Sequence, residues 1–67
     1  MRDWLRSARE AKGLSIISIA NIVGVSRQFY SMVERGKRRP SPEKCKKIAS
    51  VLDFEWTKFY EEVDQAS

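Results

Sequence analysis

The sequence predicts a compact all-α domain of five helices, and three patterns favour that fold class. Apolar residues recur at helical spacings of three and four, most clearly at Cys45, Ile48, Ala49 and Leu52. No segment alternates apolar and polar residues with the period of two that a half-buried strand requires. Serine, a favoured helix-capping residue, stands directly before three of the helical stretches. With 67 residues the chain suffices for one domain over residues 1–67, whose last residues, 64–67, we expect to be frayed.

The first helix is expected to begin at Asp3 and to run to about Lys12. The Asp3 side chain is placed to cap the free N–H groups at the start, and Gly13 is placed to end the helix. Leu5, Ala8 and the aliphatic stem of Lys12 share one stripe, which we expect to face the core.

The next two helices form a helix-turn-helix signature over residues 15–36. Ser15 caps helix two, and Gly24 ends it because glycine readily adopts the positive φ needed to leave a helix. Ser26 caps helix three, which we place at about residues 27–35. The inward-facing residues are expected to be Ile19, Ala20, Val23, Val25, Tyr30 and Val33. Proteins with this arrangement insert the second of the two helices into the DNA major groove.

The last two helices are expected to close the core. Ser41 caps helix four, Pro42 takes its first position, and its apolar stripe runs to Leu52. Asp53 and Phe54 then turn the chain. A final helix runs from about Trp56 to Glu62, and its apolar side chains form a lid over the others: Trp56, Phe59, Tyr60 and Val63.

Basic charge is concentrated in one stretch of the chain. Between residues 27 and 47 there are eight Lys and Arg side chains against two Glu, a net charge of +6, whereas the whole chain carries +4. The run Lys37, Arg38, Arg39 directly follows helix three. A single lysine on a helix usually serves solubility, but a run beside a reading helix favours contact with a polyanion.

Several classes of function lack the residues they need. The sequence has no histidine and one cysteine, Cys45, which excludes an internal disulfide and a zinc-finger site. Its only clustered carboxylates lie in the tail, where we expect Glu61, Glu62 and Asp64 to be solvated. We therefore expect no enzymatic activity, metal, cofactor or small-molecule ligand. No apolar stretch approaches the length of a membrane span or a signal peptide, so we expect a cytoplasmic protein without membrane contact.

Short segments along the chain match a known pattern. They are Lys12-Gly13-Leu14-Ser15, Ile19-Ala20, Val23-Gly24-Val25-Ser26, Val33-Glu34-Arg35-Gly36-Lys37, Pro40-Ser41-Pro42 and Lys47-Ile48-Ala49-Ser50-Val51-Leu52. From Trp4 to Tyr60 the chain resembles the Cro and lambda-repressor type of helix-turn-helix DNA-binding domain, also called XRE-like, which occurs in phage repressors and small bacterial regulators. The resemblance implies a lambda-repressor-like fold and sequence-specific binding of double-stranded DNA.

In this family the N-terminal residues of helix three contact base edges, which implies that Ser26, Arg27, Gln28 and Met32 read bases. Arg27 can donate two hydrogen bonds to guanine, and Gln28 can bridge the donor and the acceptor of adenine. Met32 can contact only an apolar group such as a thymine methyl. Two alternatives stay open: Arg27 clamps a phosphate, or Met32 packs in the core.

The resemblance also implies contacts to the DNA backbone. The family's backbone-contacting loop corresponds here to Lys37, Arg38 and Arg39. Ser15, at a helix start, either lies next to a phosphate or is a plain cap. Phe29 either packs on the sugar-phosphate wall or fills a crevice between helices three and four. Many relatives carry glutamine where this chain has Ile16, so one common phosphate anchor is missing.

Arg9 and Glu34 occupy the places of a family ion pair that joins the first and third helices. Such a pair would lock the reading helix against helix one. We expect its loss to lower stability more than the loss of an exposed pair, because one partner would be left buried and unpaired.

The mode of assembly follows from the size of the reading helix. One helix covers only a few base pairs, so we expect a homodimer, formed on DNA, on a palindromic operator with half-sites about 34 to 36 Å apart. Further apolar surface is supplied by Ile17, Ile22, Trp56 and Tyr60. These residues either form an interface or close the core, and the sequence leaves both open.

The sequence thus predicts a bacterial or phage transcriptional regulator that acts as a repressor. The alternative is a protein-interaction module, such as an antitoxin-like or anti-repressor domain, that binds a protein through the isoleucines of helix two.

Overall fold

The computed structural model describes residues 1–61, which form five packed helices. They are α1 (Asp3–Ala11), α2 (Ile16–Val23), α3 (Arg27–Glu34), α4 (Pro42–Leu52) and α5 (Lys58–Glu61). α2 packs against both α3 and α4, and α1 packs against α3. The predicted all-α, five-helix class is confirmed. Glu62, the lid residue Val63, the carboxylate Asp64 and the expected frayed end at 64–67 lie outside the described residues.

Local sequence signals delimit α2, α3 and α4 as expected. The hydroxyls of Ser15, Ser26 and Ser41 each accept the backbone N–H three residues ahead, at 3.0, 3.0 and 3.3 Å. Gly24 ends α2 with φ of +86°, a conformation that a side chain would strain. Asp53 ends α4 with φ of +65°, so it supplies the predicted turn. These caps bind backbone groups that a helix leaves free at its ends.

The start of α1 differs from the prediction. Arg2 occupies the N-cap position, Asp3 is already the first helical residue, and no side chain caps the helix start. The backbone N–H of Arg2 donates to the Glu34 carbonyl at 2.7 Å, so a contact with α3 fixes this position. The prediction for Lys12 was also wrong, because this residue lies beyond the end of α1 and is exposed while Leu5 is buried.

The core draws side chains from all five helices. Its members are Leu5, Ile19, Ala20, Val23, Tyr30, Val33, Cys45, Ile48, Leu52 and Phe59. Val25 is half-buried and packs against this cluster. Phe59 is fully buried, which makes α5 part of the core rather than only a lid. α5 begins at Lys58, not at Trp56. The carbonyls of residues 55–57 accept N–H groups only three residues ahead, so this segment forms a tighter turn.

Candidate nucleic-acid interface

The start of α3 presents polar side chains to solvent. Ser26 is spent on capping the helix, since its hydroxyl accepts the Phe29 N–H. Arg27 and Gln28 follow at the first two helical positions and are exposed. The opposite side of the helix buries Tyr30 and Val33 completely, so packing fixes the direction in which Arg27 and Gln28 point.

An open groove of about 760 Å³ runs between α3 and the start of α2. Its lining residues, most of which the sequence assigned to separate roles, are Arg9, Ser15, Ile16, Ile17, Arg27, Gln28, Ser31, Met32 and Arg35. Both guanidinium and amide donors therefore line one concave surface. Ile16 is half-buried on that surface.

Met32 lies half-buried in the wall of this groove. Tyr30 and Val33 occupy the core positions beside it. Phe29 is also half-buried, but it packs against the core cluster. The chain therefore leaves the Met32 side chain next to Gln28, while the Phe29 ring takes part in packing.

Ser31 and Arg35 belong to this surface, although sequence reasoning did not assign them to it. The Arg35 Nη2 donates to the Ser31 Oγ at 3.3 Å, which holds the guanidinium along the exposed side of α3. Arg27, Ser31 and Arg35 are spaced four residues apart, which places them on one helix face. That spacing was the signal that could have found them.

The basic loop, which we define as Lys37–Arg39, follows α3 and exposes all three of its side chains. Arg2 binds the carbonyl of Arg38 at 2.8 Å. The Arg39 guanidinium lies over the Tyr60 ring, 4.8 Å from its centroid. The loop is thus connected on one side to the N-terminal segment and on the other to α5.

Arg9 joins α1 to α3 through Glu34. The Arg9 Nε donates to Glu34 Oε2 at 2.6 Å, and its Nη2 donates to Oε1 at 3.3 Å. The two side chains are only 11% and 4% exposed, and Arg9 Nη1 also binds the Leu14 carbonyl at 2.9 Å. The hydrogen bond to Glu34 raises the pKa of Arg9 despite its burial, so the guanidinium keeps its charge in the folded protein.

Not every basic residue of the charged stretch faces solvent freely. Lys44 donates to the carbonyl of Val23 at 3.1 Å and so caps the end of α2. Lys46 lies over the Trp56 ring, with its Nζ 4.9 Å from the centroid. Trp56 and Tyr60 are half-buried and meet edge to face at 5.5 Å. A count of charges along the sequence therefore overstates the number of cations available to a polyanion.

The isoleucines of α2 stand apart from the core. Ile17 and Ile22 are each 52% exposed, in contrast to the fully buried Ile19. Ile17 borders the groove, whereas Ile22 lies outside it. The two side chains give α2 a partly apolar outer surface.

In residues 1–61, the described part of the chain, no group of three or more His, Cys, Asp or Glu residues could hold a metal ion. No helix within it has the length and apolar character needed to cross a membrane. Cys45 is a free, buried thiol whose pKa is raised by burial, and its Sγ lies 3.4 Å from the Pro40 carbonyl.

Comparison with known proteins gives consistent results. A family model described as helix-turn-helix matches residues 5–59. The chain is 41% identical over 63 residues to the HTH-type transcriptional regulator YqaF of Bacillus subtilis, covering 94% of this chain and 83% of that protein. It is 36% identical over 58 residues to the HTH-type transcriptional regulator SlrR of the same species, covering 85% of this chain and 38% of that protein. A chain of the SinR protein/SinI protein complex superposes with a TM-score of 0.77 at 26% identity, covering 100% of this chain and 67% of that one.

Proposed function

Because the chain belongs to the XRE-type helix-turn-helix family of DNA-binding transcriptional regulators, we propose that it reads a specific operator with α3 in the major groove. The observation that carries this proposal is the placement of Arg27 and Gln28. Both are exposed at the start of α3, in an open groove, on a helix whose other side is fixed in the core. Helix-turn-helix proteins dock the second helix in this way.

The exposed side chains have the donors and acceptors that base recognition requires. Arg27 can donate to both acceptors of guanine, and Gln28 can pair with adenine, each contact giving about 1 to 3 kcal/mol of discrimination. Met32 offers a thymine methyl an apolar surface beside them. The Ser26 hydroxyl is engaged as a helix cap, so Ser26 contributes to base recognition by fixing the start of α3.

The basic loop and the helix starts contact the phosphates of the DNA backbone. Lys37 and Arg38 are exposed and contact no aromatic ring within residues 1–61. The Arg39 guanidinium, in contrast, lies over the Tyr60 ring. Ser15 borders the groove at the start of α2, where free N–H groups suit a phosphate. Arg35 joins this set from the end of α3. Phe29 supports the interface indirectly, because its ring packs against the core and so helps to hold α3 in place.

The regulator acts as a homodimer on a palindromic operator, and its bound form represses by occupying the site. A single α3 of eight residues contacts too few base pairs for useful specificity, so two half-sites about 34 to 36 Å apart are required. The two copies associate on DNA.

The experiment is selection of bound duplexes from a random DNA pool, followed by titration of the enriched sequence at rising salt. We expect one palindromic consensus sequence. The logarithm of the binding constant should fall linearly with the logarithm of the salt concentration. Arg27→Ala should relax preference at one base pair if Arg27 reads guanine. If Arg27 only clamps phosphate, the variant should weaken all sequences alike and lower the salt slope by about one.

A protein-interaction module is the second candidate, and the half-exposed Ile17 and Ile22 are the observation that favours it. In that case selection would enrich no consensus, and the protein would bind DNA without sequence preference. A partner would then be captured by the parent protein and lost by an Ile17→Ser, Ile22→Ser double variant. Retention of a specific DNA footprint by this double variant supports the operator-binding function instead.

A further inference from the structure

Arg2 is a buried charged residue at the junction of α1, α3 and the basic loop. The residue as a whole is only 6% exposed to solvent. The Arg2 Nη1 donates to the carbonyl of Val33 and, at 2.8 Å, to the carbonyl of Arg38. Its backbone N–H donates to the Glu34 carbonyl, as described above. The guanidinium also lies 5.5 Å from the centroid of the Phe59 ring.

Two of these contacts reach carbonyls in the last turn of α3: Glu34 accepts the Arg2 N–H, and Val33 accepts the Arg2 guanidinium in addition to the Gly36 N–H at 3.1 Å. The last carbonyls of an α-helix lack partners within the helix, and a positive charge is favourable there. Because a guanidinium carries several N–H donors in a fixed plane, one group can bind two carbonyls at once. Arg2 therefore ties the last turn of α3 to the backbone of the loop that follows it.

We infer that Arg2 is a positioning residue for DNA binding, which holds the basic loop against the end of the reading helix. The inference rests on the DNA-binding function proposed above. Arg2 acts through the carbonyls of Val33 and Arg38 and not by touching DNA. A loop fixed before binding loses less conformational freedom when Lys37 and Arg38 contact phosphates. The affinity of the protein for DNA is therefore higher.

A competing explanation is that Arg2 matters only through its charge. A cation near the interface raises the local attraction for DNA whatever hydrogen bonds it makes. Lysine separates the two explanations because it keeps the charge, but its Nζ stands one bond closer to Cα than the Arg2 Nη1 that joins the two carbonyls and is not held in a plane. Arg2→Lys therefore removes the bridge and retains the charge.

The experiment titrates the selected operator duplex with the parent protein and with the Arg2→Lys, Arg2→Met and Arg6→Met variants over a series of salt concentrations. Arg6→Met is the matched control, since Arg6 is exposed on α1 and its loss changes the net charge equally. Thermal unfolding of each variant fixes a temperature at which all are folded. We expect both Arg2 variants to bind roughly fivefold to tenfold more weakly with the salt slope of the parent, because Lys37 and Arg38 still contact phosphates and only the cost of ordering the loop rises. The control should stay within about twofold of the parent.

Each other outcome counts against the inference. Parent-like affinity in Arg2→Lys would show that charge alone suffices. Equal loss in Arg6→Met would mean that net charge explains the effect. If Arg2→Met does not fold, Arg2→Lys decides the question. A parent protein that selects no operator overturns the proposed function and this inference together, whereas a parent that binds specifically beside unimpaired Arg2 variants overturns only the role of Arg2.

Discussion

The inner and outer faces of α3 differ in both burial and bonding. On the inner face Tyr30 and Val33 are fully buried, and Glu34 is held by Arg9. On the outer face Arg27 and Gln28 are exposed and border an open groove. Both faces belong to one helix of eight residues. The inner contacts orient the helix, so the outer side chains can be changed without loss of core packing. Substitutions on the inner face should change unfolding, and substitutions on the outer face should change binding.

The largest expected effect is on the inner face. Arg9→Ala leaves the Glu34 carboxylate buried without its partner, which should lower the free energy of unfolding by about 3 kcal/mol. In a domain of this size the melting temperature should fall by roughly 15 °C. Thermal and urea unfolding measure the change. Arg6→Ala is the control and should stay within about 0.5 kcal/mol of the parent. An Arg9→Ala midpoint equal to that of the parent would contradict the locking role.

The next effect is on the outer face. Gln28→Ala should lose about 1 to 3 kcal/mol of discrimination at one base pair, because a two-point contact to adenine is removed. Its unfolding free energy should match that of the parent. Binding titrations against the operator and its single-base variants measure the first quantity, and urea unfolding measures the second. Asn21→Ala, an exposed polar change on α2 outside the groove, is the control. Equal losses of stability and affinity in Gln28→Ala would mean that the two faces are not separable.

Two lysines of α4 sharpen the same contrast. Lys44→Met removes the hydrogen bond to the Val23 carbonyl and should cost about 1 kcal/mol of stability, whereas Lys47→Met, an exposed change of equal charge, should cost almost none. Denaturant unfolding of the two variants tests this difference. Identical stability in both would show that Lys44 contributes only charge.

The smallest effect is expected at Tyr30. Its hydroxyl is buried without a hydrogen-bond partner among residues 1–61, so Tyr30→Phe should be neutral or stabilising by up to about 1 kcal/mol. Burial, followed by the negative charge of Glu34, raises the pKa of Tyr30 above its ordinary value of 10.0.

The pH dependence at Tyr30 follows from that shift. The unfolded chain releases the tyrosine proton first, so this contribution to stability is complete below pH 10.0 and is lost as the pH rises further. Tyr30→Phe should therefore lose less stability than the parent in alkaline solution, as measured by urea unfolding at a series of pH values. A Tyr30→Phe variant destabilised by more than about 1 kcal/mol would show that the hydroxyl is productively bonded.

Features encoded within a few residues could be predicted from the sequence. Ser15, Ser26 and Ser41 cap helices because a hydroxyl needs only an N–H three residues ahead. Gly24 ends α2 because the required φ is a property of one residue. The periodic apolar residues of α4 are buried for the same reason: spacing along one helix sets which side they share.

Features that depend on distant partners could not be predicted in this way. Arg2 binds carbonyls more than 30 positions away, and it occupies the N-cap position that the sequence assigned to Asp3. Lys44 was counted as a free cation although it caps α2. The pair of Arg9 and Glu34 was expected only because the chain resembles a known family, since nothing in their separation along the sequence connects them.

The sequence by itself determined the five helices, the ends of α2, α3 and α4 and the family, because capping, backbone conformation and apolar spacing act over short distances. The tertiary structure alone decided which charged side chains are available at the surface and which are engaged in the fold. The physical reason is that a guanidinium or ammonium group binds whichever carbonyl, carboxylate or ring packing brings within reach. Identical arginines therefore serve different ends at positions 2, 9 and 27.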